Sequence, residues 1–152
     1  MALEDAVAID DGPSFFHRSE RGELRIWLPA PTVMVFKYKG HTDVGHIEFI
    51  ERTFDETFGP DQNHLHLFVD SEDQTGYDAE FRKRTSAWSS RVEPRTDTYC
   101  VFVKSRLVAI GVAITVLAVG GRVSVVSNRN VFRSRLEASV RQSLARAKTS
   151  NP

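Results

Sequence analysis

His64 and His66 are the first residues of this chain to suggest chemistry. They stand two apart in a strand-like run, HLHLFVD, so both rings face one side, a spacing that metal sites use. A zinc centre needs a third and a fourth ligand. None is identifiable, so the pair reads as structural or solvent-facing, with metal-assisted hydrolysis as the last-ranked alternative. His41 and His46 lie five apart, off the i, i+4 alignment that two ligands on one helical face prefer, and read as polar surface residues. The stretch Asp70-Ser71-Glu72-Asp73-Gln74-Thr75-Gly76 looks superficially like a calcium loop. The EF-hand pattern wants glycine at position 6 and glutamate at position 12, whereas glycine here is seventh and Phe81 holds the twelfth place. That match fails.

Catalytic signatures are also missing. No G-x-x-x-x-G-K phosphate cradle occurs, the Val-Gly-Gly at 119–121 follows a helix rather than a strand, and no G-x-S-x-G elbow is present. Nothing in the spacing of Asp, His and Ser assigns a triad. The sequence therefore calls for no cofactor and no catalytic residue. Cys100 is the single cysteine, which excludes an internal disulfide and a cysteine-based zinc cluster; between Tyr99 and Val101 it reads as a buried, inert thiol.

Whatever these residues do, alternating strands and helices must position them. Glu23 to Pro29 and Thr32 to Gly40 alternate as strands joined by a turn at Pro29 and Pro31, and a hairpin is the simplest arrangement. Val44, Ile47, Ile50, Phe54 and Phe58 then recur at helical spacing, with Thr42 or Asp43 as N-cap and Gly59-Pro60 as terminator. His64 to Asp70 predicts a strand ending in the acidic loop SEDQTGYD. Phe81, Trp88 and Val92 mark a second helix, and Asp97 to Ser105 a further strand. Ser127 or Asn128 can cap a last helix whose stripe is Val131, Phe132, Leu136, Val140 and Leu144. Arg133, Arg135, Arg141, Arg146 and Lys148 crowd that helix, where a solvated face complementing the helix dipole explains most of them.

The least polar segment, RLVAIGVAITVLAVGGRVSVV at 106–126, decides the architecture. From Leu107 to Val119 every residue is apolar, Gly or Thr, but the run is about 13 residues against the ~20 needed to span hydrocarbon. It reads as helix, glycine turn at Gly120 and Gly121, then a buried strand from Val123 to Val126. A helix apolar on nearly every face must be covered on most of its circumference, by a sheet and by another surface such as a second molecule.

The order is thus a hairpin followed by repeated strand and helix, the pattern of an α/β sandwich with a mixed, mostly parallel sheet and about four helices. At 152 residues the chain suits a single domain at 21–148, with 1–20 as a loosely ordered leader whose Phe15 and Phe16 dock on the body, and 149–152 as a tail. Hydrophobic residues make up 41% and charged residues 26%, a globular balance, and 20 basic residues match 20 acidic ones. No global field draws the protein to nucleic acid or membrane. The acidic N-terminus lacks the basic and apolar regions of a secretory signal, so a cytoplasmic home is expected.

This order of elements resembles the STAS domain, the module of sulfate transporters and anti-sigma-factor antagonists, in a divergent single-domain bacterial form. The resemblance runs from Leu24 to Ala147 and is carried by HLFVDSEDQTGYDAEFRKRTSAW, similar to the family's strand, acidic loop and helix. It is carried also by LAVGGRVSVVSNRNVFRSRL, similar to its helix, glycine turn, last strand and capped last helix. The resemblance implies a phosphorylated serine at the start of the helix after the third strand. If Asp78 matches the motif's aspartate, Ala79 stands where that serine belongs, and the chain departs from the switch. Ser71 and Thr75 are nearby hydroxyls, but the surrounding acids would repel an added phosphate and few basic partners are close in sequence.

Two candidate surfaces follow. One is the loop after a parallel strand, Asp70, Ser71, Asp73, Thr75, Tyr77 and Asp78, since open α/β sheets place their sites at strand carboxyl ends. A plain connector capping the next helix through Asp78 is the competing reading. The other is the apolar helix, with Leu107, Ile110, Val112, Ile114, Val116 and Leu117. The expected function is a non-enzymatic regulatory module docking a protein partner, a second copy included; the alternative is a small-molecule or lipid-binding domain in which the same helix lines a cavity.

Overall fold

The structure is a computed structural model and describes residues 7–119 and 123–150. The expected glycine turn at 120–121 lies outside the described residues, as do the first six residues of the leader. Six strands form one sheet in sequence order: β1 (Ser14–Arg18), β2 (Gly22–Ala30), β3 (Val33–Thr42), β4 (Leu65–Tyr77), β5 (Thr96–Phe102) and β6 (Ser124–Val126). The first three pair antiparallel, as the hairpin reading expects, and β3 to β6 run parallel. Between the parallel strands lie α1 (Val44–Thr57), α2 (Ala79–Val92) and α3 (Arg106–Val119), and α4 (Arg129–Ser150) ends the fold.

Crossovers of one hand that always step to the next strand must place their helices on one face of the sheet. Alternation along each strand shows that they do. Met34, Phe36 and Tyr38 of β3, with Leu65, Leu67 and Val69 of β4, pack beneath Ile47, Ile50 and Phe54 of α1 and Phe81 and Trp88 of α2. The intervening Val33, Val35, Phe68, Cys100 and Phe102 face the other way, under Phe132, Leu136 and Val140 of α4. Two separate cores result, one on each side of the sheet.

Several expectations change. The leader is not loose throughout: residues 14–18 form edge strand β1, Ile9 is buried, and the Trp27 indole N–H donates to the Ile9 carbonyl at 2.7 Å. Phe15 and Phe16 are exposed rather than docked. Along α4 the buried stripe is Phe132, Leu136 and Val140 with Ser139 and Ser143, while Val131 and Leu144 face solvent. Ser143 is inside because its hydroxyl ties α4 to the turn before β3, accepting from the Thr32 N–H at 3.0 Å. The helix also continues to Ser150, two residues into the expected tail.

The largest departure is β4. The acidic stretch read as a loop is strand to Tyr77, paired with β3 from Lys37↔Asp70 to Thr42↔Tyr77. Register shifts at Lys37/Lys39 and Gly40/His41 interrupt the alternation that reveals a strand in sequence; past the first, Gln74 points in, Thr75 out and Gly76 in. Pairing of β4 with β5 ends at Asp70↔Phe102, so beyond it β4 has a strand neighbour on one side only.

Phe132 is the keystone of the α4 side, with ring centroids 5.7 Å from Phe68 and 5.6 Å from Phe102. Phe132→Ala should lower unfolding free energy by about 3–5 kcal/mol, whereas truncating half-exposed Val131 should cost about 0.5 kcal/mol or less, both read from urea unfolding.

Candidate functional site

The site is built around α3. Ser105 starts the helix, its hydroxyl accepting from the Val108 N–H at 3.4 Å. One face settles onto the sheet and α2. Val108 is buried, and a Cβ on Gly111 would stand 2.6 Å from Tyr77 Cζ, so only glycine lets the helix backbone lie against that ring. Thr115 Oγ1 lies 3.0 Å from Ser86 Oγ, pinning α3 to α2, and also donates to the Gly111 carbonyl.

Of the six apolar residues singled out on this helix, the structure divides them four and two. Leu107, Ile110, Ile114 and Leu117 are 54%, 60%, 41% and 82% exposed and form a stripe at three- and four-residue spacing. Val112 and Val116 instead turn inward, packed against the core. The sheet and α2 thus cover one side of the helix, and the second covering surface that its sequence calls for is not supplied by the described residues. Four large apolar residues of one face stay largely open.

Beneath the helix lies a cavity of ≈ 70 Å³ between the sheet, α2 and α3, lined by Tyr38, Phe81, Thr85, Trp88, Tyr99 and Val112 among others. Two polar atoms of its lining residues, Thr85 Oγ1 and Trp88 Nε1, are buried without a hydrogen-bond partner. Tyr99 shares a hydrogen with Ser89 at 2.8 Å, and burial pushes its phenol up to about 12; burial, with Tyr99 beside it, raises Tyr38 further still. The phenols are therefore neutral hydrogen-bonding groups near pH 7. With Thr85 and Trp88 they give an otherwise apolar lining a few hydrogen-bonding groups.

The acidic segment proves to be neutralised rather than bare. Asp70 is buried and accepts from Arg129 at 3.0 Å; Glu72 also accepts from Arg129 and pairs with Lys104 at 3.1 Å. The guanidinium of Arg129 stands over the Phe102 ring. Those hydrogen bonds, from Arg129 and then Lys104, hold the Glu72 carboxyl below its ordinary value. Asp73 lies 3.9 Å from Lys37. Asp78 makes no side-chain cap on α2; its carboxylate goes to His41 at 2.6 Å and Arg21 at 3.6 Å, so the capping role is not what it does. Ser71 is buried and Tyr77 half-buried under Gly111, leaving Thr75 as the exposed hydroxyl. The basic partners thought scarce come from positions 21, 37, 41, 104 and 129, remote in sequence.

His64 and His66 do not converge on a site. His66 is buried on β4 with Nδ1 3.1 Å from Thr98 Oγ1, and burial pushes its ring down towards the neutral form; His64, with φ 61°, precedes the strand and meets Asp97. His46, read as a surface residue, is wholly buried at the start of α1. There Asp43 accepts from the Gly45 N–H, and the His46 ring accepts from the Asp43 N–H. Cys100 is buried and unpaired, and burial pushes its thiol up, as an inert core cysteine should behave.

No family model matches the chain, and no curated protein is detectably similar to it in sequence. Among solved structures it is similar to an uncharacterised protein of the DUF3478 family, with a SpoIIAA-like fold, from Shewanella loihica PV-4. The TM-score is 0.55 at 10% identity, over 82% of this chain and 92% of that one. The fold is STAS-like. At that identity the likeness extends to architecture alone. In this sheet β4 stays paired with β3 as far as Tyr77, and no described helix is long and apolar enough to cross a membrane.

The Arg129 pairing yields a pH-dependent prediction. Arg129→Ala leaves Asp70 buried without its cation and should cost about 2 kcal/mol at pH 7 in urea unfolding. Because Glu72 titrates below its ordinary 4.5 when folded, its contribution is complete above that pH and fades as pH falls through the lower folded value. The gap between wild type and variant should therefore narrow at pH 3.

Proposed function

We propose that this chain is a non-enzymatic, cytoplasmic regulatory module of STAS-like type that docks through the outer face of α3, with a second copy of itself as the partner. The observation that carries this reading is the stripe of Leu107, Ile110, Ile114 and Leu117, four large apolar side chains left open on one helix. The helix carries one charge, Arg106, at its first position. Two such helices can pack side by side around a two-fold axis without burying a charge or opposing like charges along the seam. The acids of β4 support the role differently from the expected loop: already paired within the chain, they border the helix without demanding a cationic partner.

Magnitudes set the strength. Covering a Leu or Ile fully contributes about 1.5–3 kcal/mol, and these side chains are already partly covered. Four from each copy must offset a roughly 4–15 kcal/mol loss of motional freedom. The assembly is therefore weak, with a dissociation constant in the micromolar range or above. Sedimentation velocity from about 5 μM to 1 mM should show mass rising from monomer towards dimer, and the double variant Ile110→Glu, Leu117→Glu should stay monomeric with unchanged thermal stability. A wild type that is monomeric at 1 mM, or a double variant that still dimerises, rejects this docking surface.

The cavity favours a second reading, binding of a small apolar molecule. Thr85 Oγ1 and Trp88 Nε1 are unsatisfied in an otherwise greasy lining, and an orphaned buried polar atom costs about 1–3 kcal/mol, which a ligand with one polar end would recover. Room for a water takes about 10–15 Å³ on this scale, so ≈ 70 Å³ admits a molecule of only a few heavy atoms while α3 stays in place. Native mass spectrometry of freshly purified protein should show an adduct that Val112→Phe, which fills the space, abolishes. A clean apo mass counts against this reading and leaves the docking surface untouched.

A further inference from the structure

We propose that His17, Asp43 and His46 form a binding site for a divalent transition-metal ion of the zinc type, beside the first turn of α1. One ligand atom from each of the three lies within 4.8 Å of the other two, and among the described residues no other set of three or more His, Cys, Asp or Glu side chains gathers so closely. The three come from separate elements: His17 from edge strand β1, Asp43 from the N-cap of α1, and His46 from its third residue.

His46 is wholly buried, and its Nδ1 lies 3.0 Å from the Asp43 backbone nitrogen and 3.1 Å from Asp43 Oδ1. Nδ1 has one in-plane position, which holds either a hydrogen donated to Asp43 Oδ1, with the ring neutral, or a single lone pair that takes the Asp43 N–H or a metal ion. A bound ion takes that position in place of both contacts, and the ring hydrogen then sits on Nε2, which is buried with no partner. Bonds of about 2.0–2.1 Å to nitrogen and oxygen at tetrahedral angles set neighbouring ligand atoms about 3.3 Å apart, close to the observed 3.1 Å.

His17 completes the set. Its ring centroid is 5.0 Å from that of His46 at 80°, and it stacks on Phe49, which fixes its position without using its nitrogens. Gly45 keeps the space open: a Cβ there would stand 3.1 Å from Asp43 Oδ1 and 3.3 Å from His17 Nε2, wedged between two of the ligands. Three protein ligands leave a fourth position for water, and the half-exposed His17 side opens it to solvent.

Two features limit the affinity. The positive end of the α1 dipole opposes a cation, and Arg52, over the Phe49 ring, adds like charge nearby. The Asp43 carboxylate offsets part of this, so binding belongs in the micromolar range rather than the far tighter range of closed structural zinc sites. This site lies apart from the outer face of α3, and its fate is independent of the docking reading.

Calorimetric titration of the full chain with zinc, and visible absorption with Co²⁺, test the proposal. One equivalent should bind, with the intense bands of four-coordinate cobalt. His17→Ala, on an edge strand outside both cores, should weaken binding roughly tenfold or more, as should Asp43→Asn, which keeps a capping side chain. His64→Ala, removing the exposed histidine beside Asp97, should leave it unchanged. Absence of stoichiometric binding, binding that survives His17→Ala, or binding lost with His64→Ala would each overturn the proposal. Should Asp43→Asn fail to fold, the His17→Ala result decides alone.

Discussion

A nearly uncharged helix laid on a sheet can hide only the side turned to it. That constraint organises α3 and much of its surroundings. Fourteen residues with a single charge cannot leave the body for water, so the helix is held by close approach of Gly111 to Tyr77, by Val108 in the core and by the Thr115 contact with Ser86. What the sheet and α2 do not reach is Leu107, Ile110, Ile114 and Leu117. An apolar stripe of this kind carries a standing cost in water, and covering it lowers free energy whatever the cover is. The cavity beneath belongs to the same problem: a helix of small and β-branched residues does not fill the space above Tyr38 and Trp88.

The polar side of the molecule solves the opposite problem. Extending β4 seven residues past Asp70 would leave carboxylates crowded along a strand with one neighbour. Each finds a cation instead, brought from the β1–β2 turn, β3, the start of α3 or the start of α4. The buried Asp70 and its Arg129 anchor the N-terminus of α4 to the middle of the sheet, so the two cores on opposite faces are joined by an ion pair as well as by the strands. Similar logic runs at Asp78, where His41 and Arg21 hold the start of α2 to the end of β3.

Periodicity made most of this architecture legible. Val33 and Val35, Ile47 and Ile50 with Phe54, and Phe132 with Leu136 and Val140 recur at spacings that only their elements explain, and the order of those elements led to the α/β class and the STAS-like likeness. The failures have physical causes. A bulged register hid β4 behind acids whose partners are distant in sequence. The leader's strand β1 has exposed phenylalanines and lacks a core-facing alternation of its own, so nothing local announced it. On α3 the residues were found but not their facing, because a helix apolar all round has no stripe to read; only the tertiary contacts separate Ile110 from Val112. The His17, Asp43 and His46 cluster was invisible for a related reason, since a strand and a helix cap meet there through folding and His46 looked like any polar residue near a helix start.

The open stripe on α3 is the claim on which the functional reading stands, and the methyl groups of that stripe report on it directly. In methyl NMR spectra recorded across a dilution series, the signals of Leu107, Ile110, Ile114 and Leu117 should move with concentration while those of core residues such as Ile50 and Leu67 hold still. Methyl signals of the stripe that stay fixed up to millimolar protein, or concentration-dependent shifts confined to another face, would contradict it.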